Sequence, residues 1–143
     1  MFIQCTYCGV QANALDHIIP VSYDYVSRKA AKFNKELTIP VCNECNLILS
    51  DIWLPTISQR AGYLLEKYNI KYKKTLKQPK WEEWEIEELG ENMKKIVISN
   101  MSKKEDILER LKFLLCVYSE ENLNPQDIWN KYPEDAFSRF KVG

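Results

Sequence analysis

The chain has 143 residues, of which 45% are apolar and 28% charged, a balance typical of one soluble globular domain. No apolar run approaches the roughly 18 residues that a membrane span needs, and the N-terminus lacks the basic and apolar segments of a secretory signal. We therefore expect a cytoplasmic protein, whose cysteines bind metal or pack in the core rather than form disulfides.

The formal net charge is zero, but the charges are unevenly distributed. Residues 52–80 contain seven basic side chains and one acid, whereas residues 81–91 contain six glutamates and no basic side chain. Because a local basic face is enough to bind phosphate groups, the neutral total does not exclude a nucleic-acid partner. Two solvated helix faces that neutralise each other explain the charge pattern equally well.

The first 51 residues combine short apolar stretches with cysteines, which predicts small strands and loops. The cysteines form two Cys-x2-Cys pairs with 33 residues between them: Cys5, Cys8, Cys42 and Cys45. Two such turns can place four thiolates around one Zn²⁺, and Gly9 suits the tight turn after the first pair. The alternatives are unligated thiols or a redox pair, although a redox motif needs only one pair in a βαβ context. Four cysteines leave no open coordination position, so we expect a structural site.

The loop between the pairs carries His17, the only histidine of the chain, in the stretch L-D-H-I-I-P. A lone histidine in an apolar run is usually a core residue. Here, however, Asp16 precedes it and Asn46 directly follows the second cysteine pair. A hairpin between Leu15 and Ile39 would bring the Asp16 carboxylate and the Asn46 amide together as a sparse oxygen site for Mg²⁺ or Mn²⁺. A neutral His17 imidazole beside that metal could accept a proton from water attacking phosphorus.

Three segments together, C-T-Y-C-G, L-D-H-I-I-P-V-S and T-I-P-V-C-N-E-C-N, resemble the HNH endonucleases with a ββα-metal fold and zinc knuckles. The likeness is greatest to the small enzymes of phages and mobile elements, and it covers about residues 5–51. It implies that His17 is the general base and that Asp16 and Asn46 hold the catalytic metal for hydrolysis of DNA, in the host cytoplasm for a phage protein. RNA and branched DNA stay open as substrates, because nothing in the motif selects the nucleic acid.

The chain departs from this family's pattern at two places. The family's middle asparagine, which orients the histidine loop, falls at Leu37, so Thr38, Asn34 or backbone contacts would have to replace it. The lysine and glycine common in the following helix are also missing, and Asp51 there is either a partner of the site or a surface acid. These departures leave a second hypothesis, a catalytically inactive zinc-knuckle module that binds DNA or protein.

The remainder of the chain is predicted to be mainly helical. Thr56 and Gln59 form a capping box that begins a helix ended by Pro79, and a second helical stretch over 81–97 is broken near Gly90. We therefore predict an α+β fold, with a zinc-stapled HNH core over residues 1–55 and a helical region over residues 56–143, packed on the core or extending from it.

Two further helix starts are predicted nearer the C-terminus. Ser102 and Glu105 form another capping box, and Asn124 followed by Pro125 begins a short helix that includes Trp129. Cys116, within an apolar run, is predicted to be a small buried hydrophobe. The aromatic residues of these helices are more often core than a base-stacking surface.

Basic side chains share roughly one face of the helix that begins after Thr56, and this face is predicted to follow phosphates without reading sequence. They are Arg60, Lys67, Lys71 and Lys74. The acidic stretch 82–91 would shield this face from nonspecific binding or contact a partner protein. A homodimer is a separate possibility that the sequence leaves open.

Overall fold

The computed structural model describes residues 2–18, 35–50 and 52–140. Asn34 and Asp51, for which the sequence left roles open, lie outside these ranges. Within them the chain forms, in order, β1 (Ala14–His17), β2 (Thr38–Val41), α1 (Asn43–Leu49), α2 (Ile57–Lys71), α3 (Lys73–Leu76), α4 (Glu83–Glu87), α5 (Glu91–Tyr118), α6 (Pro125–Trp129) and a short 3-10 helix (Phe137–Phe140). This mixed and mostly helical content fits the predicted α+β class. No helix in the described part of the chain is both long and apolar enough to cross a membrane.

The two strands form the predicted antiparallel hairpin. Asp16 lies opposite Ile39, and His17 lies opposite Thr38. One further bond extends the ladder beyond His17, from the backbone N–H of Ile18 to the carbonyl of Leu37 at 2.7 Å. The backbone of Leu37 is therefore bonded beside the histidine.

Local capping explains where several helices begin. The Thr56 hydroxyl accepts a hydrogen bond from the backbone N–H of Gln59 at 3.1 Å, and the Asn124 side chain accepts one from the backbone N–H of Asp127 at 3.0 Å. Each bond satisfies one of the N–H groups that a helix start leaves unpaired. Both predicted helix starts are confirmed, and the predicted break near Gly90 separates α4 from α5.

The helix start predicted at Ser102 is wrong, because Ser102 lies inside the continuous helix α5. The buried residues Val97, Ile107 and Leu114 are spaced by ten and seven positions, so they follow one face of a single helix. A Ser-x-x-Glu pair caps a helix only where the preceding backbone leaves the helical conformation. Here helical residues continue on both sides of the pair.

One hydrophobic cluster joins the cysteine-bearing region to the helices. Its members come from the hairpin, from the cysteine pairs and from the long helices, and they include Tyr7, Ile39, Leu64, Tyr68, Leu114 and Val117. α2 and α5 pack against each other, and at one crossing Gly62 leaves room for the ring of Tyr118. The helical region therefore packs on the cysteine-bearing region through a shared core.

The C-terminal part of the described chain packs against the hairpin. The indole N–H of Trp129 donates to the carbonyl of Thr38 at 2.7 Å, and the ring packs with Ile3, Ala136 and Phe137 in a second buried cluster. Cys116, by contrast, is exposed, so its prediction as a buried residue is wrong. It lies in α5 between the buried residues Leu114 and Val117, but its own side chain is exposed.

Candidate metal centre and catalytic cleft

The sulfur atoms of all four paired cysteines form one buried cluster. Each lies within 4.8 Å of the other three, and Cys8 Sγ lies 3.7 Å from Cys42 Sγ. A tetrahedron with metal–sulfur bonds of about 2.3 Å has edges of about 3.8 Å, whereas a disulfide bond is about 2.05 Å long. The four cysteines (Cys5, Cys8, Cys42 and Cys45) are thus close enough to bind one metal ion, as the spacing predicts.

Local backbone structure sets this arrangement. Gly9 has a φ of +82°, a conformation that favours glycine, and its N–H donates to the carbonyl of Cys5 at 3.0 Å. Cys42 occupies the N-cap of α1, where its sulfur accepts a hydrogen bond from the backbone N–H of Cys45 at 3.4 Å. Each pair therefore lies on a tight turn that directs both sulfurs inward.

The surroundings of the sulfurs suit an anionic metal–thiolate site. Burial raises the pKa of the Cys5 thiol, so close thiolates at this depth need a cation. Arg110 supplies positive charge beside them: burial acts to lower its pKa, but Cys8, Glu44 and Tyr68 together raise the pKa above its ordinary value. The Arg110 Nε atom is buried and has no hydrogen-bond partner in the described structure. Four thiol ligands and an unpaired hydrogen-bond donor on Arg110 both fit a metal bound by four thiolates.

Tyr68, on α2, provides a second contact from the helices to the sulfurs. Its hydroxyl lies 2.9 Å from Cys45 Sγ. Burial raises the pKa of Tyr68, which keeps the hydroxyl protonated and able to donate to a thiolate. Hydrogen bonds of this kind fix the orientation of a metal ligand.

The three residues predicted to carry catalysis line one cleft of about 250 Å³. Asp16 and His17 reach it from the end of β1, and Asn46 reaches it from α1. Ile52, Trp53 and Leu54, which precede α2, also line the cleft. Asn46 and His17 are half-buried, and the backbone N–H of Asn46 bonds to the carbonyl of Cys42 at 3.0 Å. The cysteine pair and the cleft therefore share one helix.

Asp16 is engaged by two side chains that sequence reasoning did not assign to this site. Its Oδ1 accepts from Arg60 Nη2 at 2.6 Å, and its Oδ2 accepts from Arg60 Nε at 3.0 Å and from the Tyr7 hydroxyl at 2.7 Å. Both Asp16 and Arg60 are only 4% exposed. Burial acts to lower the pKa of Arg60, but Tyr7 and Asp16 raise it overall, so the guanidinium stays charged.

Arg60 is therefore not on the helix surface where the sequence analysis placed it. A signal was available: Arg60 follows Ile57 by three positions and precedes Leu64 by four, so it falls on the apolar face of α2. The remaining residues of the predicted basic face, Lys67, Lys71 and Lys74, are exposed. Lys71 pairs with Glu44 at 2.6 Å, and the Lys67 ammonium lies 5.3 Å from the ring centre of Tyr63.

Comparisons of the chain with protein-family models, with curated proteins and with solved structures find no significant match. The function is therefore inferred from the residues of the site.

Proposed function

We propose that the protein is a metal-dependent endonuclease of the HNH type that hydrolyses phosphodiester bonds in DNA. The observation that carries this proposal is the single cleft lined by Asp16, His17 and Asn46. The order strand, strand, helix around that cleft, with a cysteine pair on either side of the hairpin, supports the same assignment. These residue types are those that hydrolysis of a phosphodiester with one metal requires.

The metal of the four-cysteine centre is proposed to be Zn²⁺ with a structural role. Zn²⁺ favours four thiolates in a tetrahedron, and such a site has no open position for substrate or water. Its contribution to the cleft is indirect: it fixes the first turn of α1, from which Asn46 projects.

In the proposed reaction the cleft residues divide into a base and metal ligands. The His17 imidazole accepts a proton from the water that attacks phosphorus, while Asp16 and Asn46 are the oxygen ligands for Mg²⁺ or Mn²⁺. The divalent cation, when bound, stabilises charge on the phosphate and on the leaving oxygen. The hairpin pairing of His17 with Thr38 and the adjacent Ile18–Leu37 bond support the position of the imidazole.

The DNA backbone is proposed to follow the exposed lysines of α2 and α3. Lys67, Lys71 and Lys74 are the exposed members of the predicted basic face, and Arg60 is left out because it is buried. Contacts of this kind hold the duplex by its phosphates and carry no sequence information.

The direct test is cleavage of supercoiled plasmid with Mg²⁺ or Mn²⁺ by the parent protein and by His17→Ala. We expect the parent to nick or cut, EDTA to stop the reaction, and His17→Ala to lose at least about a hundredfold in rate, the usual contribution of a general base. Asn13→Ala is a matched control, because Asn13 is exposed and precedes the same strand. Equal cleavage by folded His17→Ala protein would rule out the assigned base.

A catalytically inactive DNA- or protein-binding module is the alternative. It is favoured by Leu37, which stands where the family has its orienting asparagine and which contributes a backbone carbonyl there. A panel of supercoiled, linear, single-stranded and branched DNA and of RNA, each with several divalent metals, separates the two. Binding without cleavage of any substrate supports the inactive module, and cleavage of RNA or branched DNA alone would change the substrate.

A further inference from the structure

We infer that the cleft takes up its divalent cation together with the phosphodiester and not before it, because Arg60 already neutralises Asp16. This inference rests on the proposed nuclease function and concerns how the same site is loaded. Among the described residues that line the cleft, Asp16 is the only carboxylate. The loading of the site therefore depends on what Asp16 already binds.

The Asp16 carboxylate has little capacity left for a further partner. A carboxylate offers about four lone-pair positions. Arg60 and Tyr7 donate three hydrogen bonds to it, one to Oδ1 and two to Oδ2. What remains is one position on Oδ1, so a cation has to share the carboxylate with Arg60 unless Arg60 leaves.

Arg60 is held in place by more than Asp16. Its Nη1 donates to the carbonyls of Ile52 and Leu54 at 3.3 and 3.2 Å, and its Nε also contacts the Tyr7 hydroxyl at 3.0 Å. If Arg60 moved away, the carbonyls of Ile52 and Leu54 would lose a donor and the buried Asp16 carboxylate would lose its counter-charge. Both losses are strongly unfavourable. We therefore expect the guanidinium to stay beside Asp16 when a second cation enters.

The charges of the cleft then decide the order of binding. The charges of Asp16 and Arg60 cancel, and no other described residue that lines the cleft is acidic, so the described lining has no net negative charge. A divalent cation entering alone therefore gains little net attraction, because the repulsion of Arg60 offsets the attraction of Asp16 at short range. A phosphodiester adds one negative charge at the same place. Cation and DNA should therefore raise each other's affinity by the same factor, as thermodynamic linkage requires.

The test measures Mn²⁺ binding to the zinc-loaded protein by the electron paramagnetic resonance signal of free Mn²⁺. His17→Ala is used so that DNA stays intact, with and without a short duplex. The duplex also binds Mn²⁺ by itself. The double variants His17→Ala/Asp16→Asn and His17→Ala/Asn46→Ala are therefore measured in parallel, so that the binding that depends on Asp16 and Asn46 can be identified. We expect the duplex to raise the Asp16- and Asn46-dependent Mn²⁺ affinity at least about fivefold, within the usual range of coupling between sites. The comparison of His17→Ala with His17→Ala/Asn46→Ala keeps the test valid if the Asp16→Asn variant fails to fold.

Variants of Arg60 test whether this residue causes the weak binding of Mn²⁺ in the absence of DNA. Arg60→Gln removes the resident cation, so free protein should bind Mn²⁺ at least about tenfold more tightly and melt at a temperature that rises with Mn²⁺. Arg60→Lys keeps the charge and should keep the weak affinity. If Arg60→Gln is unfolded, the comparison with and without duplex still decides the inference.

The outcomes separate this inference from the proposed function. Tight Mn²⁺ binding by free protein through Asp16, unchanged by the duplex, overturns the inference and leaves the nuclease proposal standing. No Mn²⁺ binding through Asp16 or Asn46 in either state overturns the inference. Cleavage of plasmid by the parent protein then shows separately whether the nuclease proposal fails as well.

Discussion

Arg110 Nη2 lies 2.8 Å from Oε1 of Glu44, so a side chain from the long helix α5 contacts the turn between the last two cysteines. The same carboxylate accepts hydrogen bonds from Lys71 and from the hydroxyl of Tyr72 at the end of α2. Tyr68, one turn earlier, reaches the sulfur of Cys45. Both long helices are therefore anchored to the turn between Cys42 and Cys45, and we expect their packing to depend on a metal bound there.

Removal of the metal is expected to unfold the helical region along with the cysteine pairs. Structural Zn²⁺ contributes roughly 10–16 kcal/mol in zinc-finger peptides, which equals or exceeds the whole stability of a typical domain. We expect one zinc per chain by metal analysis and a large loss of helical circular dichroism after chelation or in Cys45→Ser. Cys116→Ser is the control, since Cys116 is exposed and outside the cluster. An unchanged melting curve after complete zinc removal would contradict this expectation.

Gly9→Ala should weaken the metal site, whereas Gly90→Ala should not. A methyl group at Gly9 would lie 2.7 Å from the ring of Phe113, and the φ of +82° adds about 1–2 kcal/mol of backbone strain. Nothing lies within 4 Å of the same position at Gly90, which is the N-cap of α5, so we expect only the roughly 0.5–1 kcal/mol cost of a poorer cap there and no effect on the metal site. Urea unfolding gives both stabilities, and the rate of zinc transfer to a chromogenic chelator reports the site. Equal behaviour of the two variants would show that the turn tolerates a side chain.

Two ion pairs of similar length should differ widely in their contribution to stability. Asp16–Arg60 and Lys71–Glu44 both measure 2.6 Å, but the side chains of the first are 5% exposed and Lys71 is 52% exposed. Asp16→Asn leaves a buried guanidinium without its counter-charge and should cost about 3–5 kcal/mol. Lys71→Gln should cost about 0–1 kcal/mol. Urea unfolding at neutral pH compares them, and a Lys71 effect as large as the Asp16 effect would show that burial does not set the difference.

DNA binding through the exposed lysines should fall steeply with salt. Replacing Lys67 and Lys74 by glutamine should reduce the slope of log affinity against log salt by about one unit for each phosphate that the variant no longer neutralises. Lys131→Gln, an exposed lysine beyond α6, is the control for charge alone. Fluorescence anisotropy with a labelled duplex gives the slopes. Identical slopes for the parent and the double variant would remove these lysines from the interface.

Much of the local structure could be predicted because it depends on residues close in the chain. The caps at Thr56 and Asn124 satisfy N–H groups three positions away. The error at Ser102 has the same local origin, since a capping pattern cannot show whether the preceding residues are already helical. The tertiary structure shows that the residues before Ser102 are helical.

The spacing of the cysteines by itself predicted the four-cysteine cluster, because two Cys-x2-Cys turns can together supply four thiolates to one metal ion. The pattern around L-D-H-I-I-P likewise predicted the hairpin and the cleft that Asp16, His17 and Asn46 share. Only the tertiary structure decided that the partner of the buried Arg60 is Asp16, 44 positions away. A sequence shows which side chains share a helix face. Which distant partner a buried charge meets depends on how the elements pack, and here that packing sets the charge of the cleft.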